Sequence, residues 1–188
     1  MTYILALNAF ILLAIMLILW RVSVTIRDVS FIDAFWPFGM VILAWTSWLQ
    51  LGAPQQPHAL AVLALTTIWG LRLAIHLYTR WRAHGVDPRY TKILGHVMEK
   101  KWWSFSTAAL VQVWLMQAVL LFIVCMPAQL GAFSDAPAMG VVGWLGVVIA
   151  LTGIAFETVG DAQLKAFRND PASKCKVLDT GLWRYTRH

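Results

Sequence analysis

Ionisable side chains recur at helical spacing within one of the most apolar parts of this sequence. In GLRLAIHLYTRWR, residues 70–82, the spacing of Arg72, His76 and Arg80 is i, i+4, i+8, which places them on one face of a helix. Charged groups in an apolar helix are energetically expensive, so they are candidates for function. A histidine in a desolvated pocket can have a shifted pKa and donate a proton.

A second stripe lies in FETVGDAQLKAFR, residues 156–168, where two acidic side chains are followed by two basic ones at i, i+4, i+8 and i+11. These are Glu157, Asp161, Lys165 and Arg168. The pattern predicts that an apolar helix continues past the membrane as an amphipathic helix. Arginine suits phosphate because its planar fork donates two hydrogen bonds at once. Together the two stripes predict a site for a polyanionic cofactor, with an apolar substrate entering from lipid.

Structural alternatives stay open for each of these groups. Arg72 can snorkel to the interface, His76 can be a packing residue, and the stripe of residues 157–168 can be a solvated helix with ordinary ion pairs. Two further amides, Gln112 and Gln117, can form hydrogen bonds between helices.

The sequence lacks the motifs of several common nucleotide-binding, hydrolase and metal sites. There is no Walker A or GxGxxG pattern, no GxSxG elbow and no HExxH pair in the sequence. Cys125 and Cys175 are the two cysteines, and neither belongs to a CxxC or a Cys/His metal spacing. We therefore expect no metal site and two free thiols.

The elements that must position these residues are membrane spans. Hydrophobic residues make up 60% of the chain, charged residues 13%, and the mean hydropathy is +0.67. That composition is too poor in charge to cover a water-soluble surface. Five segments are about long enough to cross a bilayer core as helices, namely residues 3–20, 34–51, 58–78, 105–126 and 138–159. The predicted fold class is therefore all-α, a polytopic transmembrane helical bundle with about five spans, and residues 1–188 are predicted to form a single membrane domain.

The basic residues predict the orientation of these spans. All 15 Lys and Arg fall within residues 21–27, 72–101 and 165–187, whereas the links LGAPQQP and PAQLGAFSDAP contain none. The positive-inside rule then places the N-terminus outside and the basic segments in the cytoplasm. This distribution accounts for the pI of 9.7 without nucleic acid as a partner. The expected partners are the lipid bilayer and a lipophilic small molecule, and the oligomeric state is left open.

Four segments resemble the bacterial DUF1295 proteins, which we place in the wider steroid 5-alpha-reductase superfamily with sterol reductases and isoprenylcysteine carboxyl methyltransferases. They are DVSFIDAFWPFG (28–39), GLRLAIHLYTRWRAHGVDPRY (70–90), FETVGDAQLKAFR (156–168) and GLWRYTRH (181–188). The resemblance implies an all-helical enzyme of the bacterial inner membrane that binds NADPH from the cytoplasmic side. It also implies hydride transfer to a carbon–carbon double bond conjugated with a ketone.

The resemblance also implies roles for individual residues. Asp33 and His76 would be catalytic, with Tyr78 as the alternative to His76, because the reductases carry a tyrosine on span three. Asp161 would contact the nicotinamide–ribose end of NADPH and Arg168 a phosphate. The full set expected to bind the cofactor is Arg80, Arg89, Glu157, Asp161, Lys165, Arg168, Tyr185, Arg187 and His188.

The same resemblance predicts a chain cut short, because family members continue past the Arg-His pair with further membrane helices. On that expectation the cofactor site of residues 1–188 would be incomplete. Two other functions stay open: an S-adenosylmethionine-dependent lipid or isoprenylcysteine-type methyltransferase, and an inactive membrane scaffold.

Overall fold

The computed structural model describes residues 1–133, 137–174 and 176–186, and within these ranges it contains helices and no strands. Seven helices are numbered here in chain order. They are α1 (Thr2–Ile26), α2 (Ile32–Gln50), α3 (Pro57–His84), α4 (Pro88–Lys101), α5 (Phe105–Val124), α6 (Met126–Gly131) and α7 (Val141–Asn169). Short 3-10 turns follow at Pro171–Ser173 and Gly181–Arg184. The all-α prediction is confirmed.

Five of these helices, α1, α2, α3, α5 and α7, are long and apolar enough to cross a membrane. They coincide with the five predicted segments and differ from them mainly at their ends. Helix α3 continues to His84, and α7 runs unbroken for 29 residues to Asn169, through the whole stripe of residues 157–168. The orientation of the N-terminus stays a prediction.

The chain divides into two compact units, Met1–Ala138 and Met139–His188. The first, unit 1, holds α1 to α6, and the second, unit 2, holds α7 and the turns after it. Each unit is described by itself below.

The closest packing in unit 1 joins α2 to α3, and it depends on a glycine. Gly70 of α3 is buried against α2, where an added Cβ would lie 2.5 Å from the Val41 side chain and 2.8 Å from the carbonyl oxygen of Pro37. Only a residue without a side chain lets two helix backbones approach this closely. This contact holds α3 against α2.

Indole groups tie α5 to the first two helices. Trp114, fully buried in a π-helical stretch Leu110–Leu115, donates a hydrogen bond of 3.0 Å to Ser23 Oγ of α1. Trp36 of α2 donates to Gln117 Oε1 over 2.6 Å. The interhelical hydrogen bond considered for Gln117 is therefore confirmed.

A buried amide cluster joins α1, α2 and α6. Asn8 Nδ2 donates to Ser47 Oγ at 2.7 Å and to Gln129 Oε1 at 2.9 Å, and all three side chains are fully buried. Asn8 Oδ1 accepts from Thr46 Oγ1 and from Gln50 Nε2, each at 2.8 Å. Within a membrane these groups have no water to bind, so the cluster must satisfy itself.

Replacement of Asn8 by Leu tests this cluster. We expect Asn8→Leu to lower the free energy of unfolding by about 1–3 kcal/mol, because several buried polar groups lose their partner together. The measurement is unfolding of the purified protein in mixed micelles by titration with sodium dodecyl sulfate. Thr152→Val is the control, since among the described residues the Thr152 hydroxyl bonds only to Val148 O of its own helix, and its loss should change stability by less than about 0.5 kcal/mol. Equal losses in the two variants would contradict the assignment.

Candidate functional site

The link between α1 and α2 is fixed to the end of α3 through a buried carboxyl group. Asp28 is 6% exposed; its Oδ1 accepts from the Ser30 backbone N–H and its Oδ2 from Trp81 Nε1, both at 2.7 Å. Ser30 Oγ in turn accepts from the Asp87 backbone N–H at 2.8 Å. The start of α2 is thereby held against residues 81–87.

A second carboxyl group, five residues further along the chain, contacts cationic side chains of two other helices. Asp33 Oδ2 lies 3.0 Å from Arg89 Nη2 and 4.0 Å from Arg80 Nη2. Its Oδ1 accepts a hydrogen bond of 2.6 Å from Tyr90 Oη. The structure thus brings together three residues chosen from the sequence, Asp33, Arg80 and Arg89, and adds Tyr90.

Hydrogen bonds and burial at the start of α4 keep Asp87 and Arg89 charged and Tyr90 neutral. Arg89 donates to both carboxylate oxygens of Asp87, at 2.7 Å and 3.0 Å from Oδ2 and 3.1 Å from Oδ1. This hydrogen bonding holds the pKa of Asp87 below its ordinary value of 3.8 and raises the pKa of Arg89. Burial raises the pKa of Tyr90, and its hydrogen bond to Asp33 raises it further. At neutral pH Tyr90 therefore keeps its proton and donates a hydrogen bond to Asp33.

An apolar groove of about 520 Å³ runs between α1, α2 and α3. Its lining is aliphatic and aromatic: Leu19, Val22, Ile26, Phe31, Ala34, Phe35, Phe38, Leu71, Ala74, Ile75, Tyr78 and Trp81. Aromatic rings form one end, where Phe31 and Tyr78 each have their ring centre 5.7 Å from that of Trp81. Because Asp28 fixes Trp81, the same buried carboxyl group fixes this end of the groove.

Tyr78 and His76, the two candidates for the catalytic residue on α3, lie on different faces of this helix. Tyr78 lines the groove, as do Leu71, Ile75 and Trp81 at helical spacing. His76 is half-buried and shares the other face of α3 with Arg80, and the described lining of the groove does not include it. The face that carries the charges is therefore not the face that meets the groove.

In unit 2 the two late sequence segments pack together. Trp183 Nε1 donates to the carbonyl oxygen of Gly160 at 2.9 Å, and the Leu182 backbone N–H donates to Gln163 Oε1 at 2.9 Å. Gly181 has φ +60°, and a Cβ there would lie 2.6 Å from the Gln163 amide. A glycine is therefore required for the turn Gly181–Arg184 to dock on α7.

This docking closes one side of a basic cavity of about 1160 Å³. Four cationic side chains line it, and two acidic ones, Asp170 and Asp179, lie among them. The cations are Arg168, Lys174, Lys176 and Arg184. Leu164, Phe167 and Trp183 supply apolar walls. A cavity with excess positive charge and flat apolar walls suits a ligand that combines phosphates with aromatic rings.

Of the residues in unit 2 expected to bind the cofactor, Arg168 lines this cavity. Glu157 and Asp161 are half-buried on α7, whereas Lys165 and Tyr185 are exposed, and none of these four is in the lining. Arg187 and His188 lie outside the described residues.

Sequence reasoning missed several lining or clustered residues. Lys174, Lys176 and Arg184 indicate topology by their charge, but their positions on either side of a turn-rich stretch could also have marked them as one anion site. Asp87 precedes Pro88, and an Asp-Pro pair is a common helix start, so Asp87 lies at the N-cap of α4, within the same first turn as Arg89 and Tyr90.

The sequence model of the DUF1295 family, described as a protein of unknown function, matches residues 19–188. The chain therefore belongs to this family. Searches of curated proteins and of solved structures find no significant match.

Replacement of Trp81 by Phe tests how the end of the groove is held. The ring stays but its N–H is lost, which leaves the buried Asp28 Oδ2 without that donor, so we expect a loss of about 1–3 kcal/mol in unfolding free energy. Trp45→Phe is the matched control, because the Trp45 indole donates to Thr67 Oγ1 from a residue that is 39% exposed. Titration with sodium dodecyl sulfate should show a smaller loss for the control, and equal losses would contradict the role of Asp28.

Proposed function

We propose that this DUF1295 protein is a membrane-embedded reductase that uses NADPH to reduce the conjugated carbon–carbon double bond of a lipophilic enone. The observation that carries the proposal is the basic cavity of unit 2. Its lining includes residues of two segments, 156–168 and 181–186, that resemble the cofactor-binding segments of the steroid 5-alpha-reductase superfamily, and the linker of residues 170–179 supplies the rest.

The donor set of the cavity fits a dinucleotide that carries several phosphates. Four cations and two carboxylates leave an excess of two positive charges. Pockets for drug-sized ligands usually measure about 300–1,000 Å³, and the volume of about 1160 Å³ suits a larger ligand. Arg168 and Arg184 can each offer two parallel hydrogen bonds to a phosphate, and Trp183 offers a ring for stacking.

The groove of unit 1 supports a lipophilic substrate. Its lining is apolar apart from the Tyr78 hydroxyl and the Trp81 indole N–H, and the latter is already bonded to Asp28. An apolar molecule can move from the bilayer into such a groove without losing favourable contacts with water. A ketone on that molecule would be oriented by a hydrogen bond from Tyr78 Oη.

The reduction needs one hydride and one proton. NADPH held by Arg168 and Arg184 would supply the hydride. Tyr78 Oη would stabilise the negative charge that develops on the ketone oxygen of a substrate in the groove, and a proton from Tyr78 Oη or from water would reach the α-carbon and complete the saturated ketone. We prefer Tyr78 to His76 for this role because Tyr78 lines the groove. Asp33, bound to Arg89 and Tyr90, fixes the start of α2 from which Ala34 and Phe35 reach the groove.

S-adenosylmethionine-dependent methyl transfer is the alternative within the superfamily. That cofactor carries a sulfonium cation and no phosphate, so an excess of cationic side chains favours it less. An inactive scaffold would need neither the basic cavity of unit 2 nor the apolar groove of unit 1.

Replacement of Arg168 by Gln tests the cofactor site. We expect Arg168→Gln to weaken NADPH binding by about 10- to 100-fold, because a charge-assisted hydrogen bond contributes about 1.5–3 kcal/mol. The measurement is NADPH fluorescence titration of the purified protein in detergent. Arg82→Gln removes an exposed cation of unit 1 and should leave the affinity unchanged. The same titration on Lys165→Gln tests the expected contact of this exposed residue with the cofactor. Binding of S-adenosylmethionine but not of NADPH would overturn the proposal.

Replacement of Tyr78 by Phe tests the proton donor. With a 3-oxo-4-ene steroid as the substrate probe, we expect kcat to fall about 100-fold or more, the usual contribution of a positioned acid, while NADPH affinity stays the same. Tyr3→Phe is the control, because Tyr3 is 76% exposed near the N-terminus. Full activity in Tyr78→Phe together with loss of activity in His76→Ala would return the role to His76.

A further inference from the structure

Helix α4 is confined to the membrane surface by its length and its short connections. Its 14 residues span about 21 Å, less than the bilayer core of about 30 Å. Three residues, 85–87, join it to the end of α3, and three, 102–104, join it to the start of α5. Three extended residues reach about 10 Å, so both ends of α4 stay near the membrane surface at which α3 ends and α5 begins.

One face of α4 packs on unit 1. Leu94 is 4% exposed and belongs to the buried core, and Tyr90, Val97 and Met98 pack against that core. The helix is therefore fixed in rotation, and the opposite face is turned away from the core of unit 1.

That outer face carries a row of basic side chains. Lys92, His96 and Lys100 are exposed and follow one another at i, i+4, i+8. Ile93, which is 45% exposed, lies beside this row. In the described ion pairs, the carboxylates of Asp87 and Asp33 bind Arg89 and do not bind Lys92, His96 or Lys100. Glu99 is the one acidic residue of α4. The face thus keeps net positive charge.

The helix ends on an exposed indole. Trp102 is 94% exposed, and its backbone has φ 55° and ψ 31°, a left-handed conformation that is unusual for a bulky residue. Lys101 on one side of it places its ammonium group 4.4 Å from the centre of the Trp103 ring. Span α5 begins three residues later, so the exposed ring lies at the level where indoles favour the bilayer interface.

We propose that α4 and Trp102 bind the headgroup of an anionic phospholipid. Lys92 and Lys100 would contact the phosphate and the additional headgroup charge, while Ile93 and Trp102 lie among the glycerol and upper acyl groups. A protein partner fits less well, because lysine is depleted at the centres of protein interfaces. Anionic lipid attracts each lysine held at a membrane surface.

The test compares bound lipids on the full-length chain. The protein is purified in detergent with equal amounts of phosphatidylglycerol and phosphatidylcholine, and the lipids that it retains are counted by native mass spectrometry. Wild type should retain phosphatidylglycerol in preference, and Lys92→Gln/Lys100→Gln should lower that preference by at least about fivefold. Arg21→Gln/Arg82→Gln is the matched control, because it removes two exposed cations elsewhere in unit 1.

Further variants make the outcome decisive. Lys92→Arg/Lys100→Arg keeps both charges and should keep the preference, and Trp102→Ser should lower the retention of both lipids without changing their ratio. An unchanged preference in the Gln variant, or an equal loss in the control, would overturn the proposal. So would binding of an acidic peptide such as polyglutamate that the Gln variant abolishes while its lipid preference remains.

Discussion

The amide of Asn8 is the interaction on which the packing of unit 1 depends. A polar group in a membrane-spanning helix has no water to bind, so it specifies its neighbours by the hydrogen bonds that it needs. Asn8 finds those partners on α2, in Ser47, and on α6, in Gln129. Apolar surfaces alone would let these helices rotate or slide, whereas a fully satisfied amide fixes one arrangement.

Helix α2 transmits that arrangement to the groove. At its far end the residues that bind Asn8 hold it to α1, and at its start Asp33 holds it to Arg89 and Tyr90. Between these ends Gly70 lets α3 approach the α2 backbone. The groove lies along the three helices that these contacts fix, so its shape follows from groups that do not line it.

In unit 2, hydrogen bonds between a turn and one long helix determine the shape of the basic cavity. The turn Gly181–Arg184 is tied to α7 by an indole, through Gly160 O, and by a backbone amide, through Gln163. These bonds bring Arg184 to the cavity that Arg168 also lines, although 15 intervening residues separate them in sequence. The segment after α7 folds back on this helix, and the cationic side chains of both therefore line one cavity.

The sequence by itself determined the all-helical class, the five spans and the extension of α7, because hydropathy and helical period depend on local composition. It also placed Asp33, Arg80 and Arg89 among the functional candidates, and these three lie together. Only the tertiary structure decided that Tyr78 rather than His76 lines the groove and that Lys174, Lys176 and Arg184 join Arg168. Helical spacing says which residues share a face, but the packing of other helices and loops decides what that face meets.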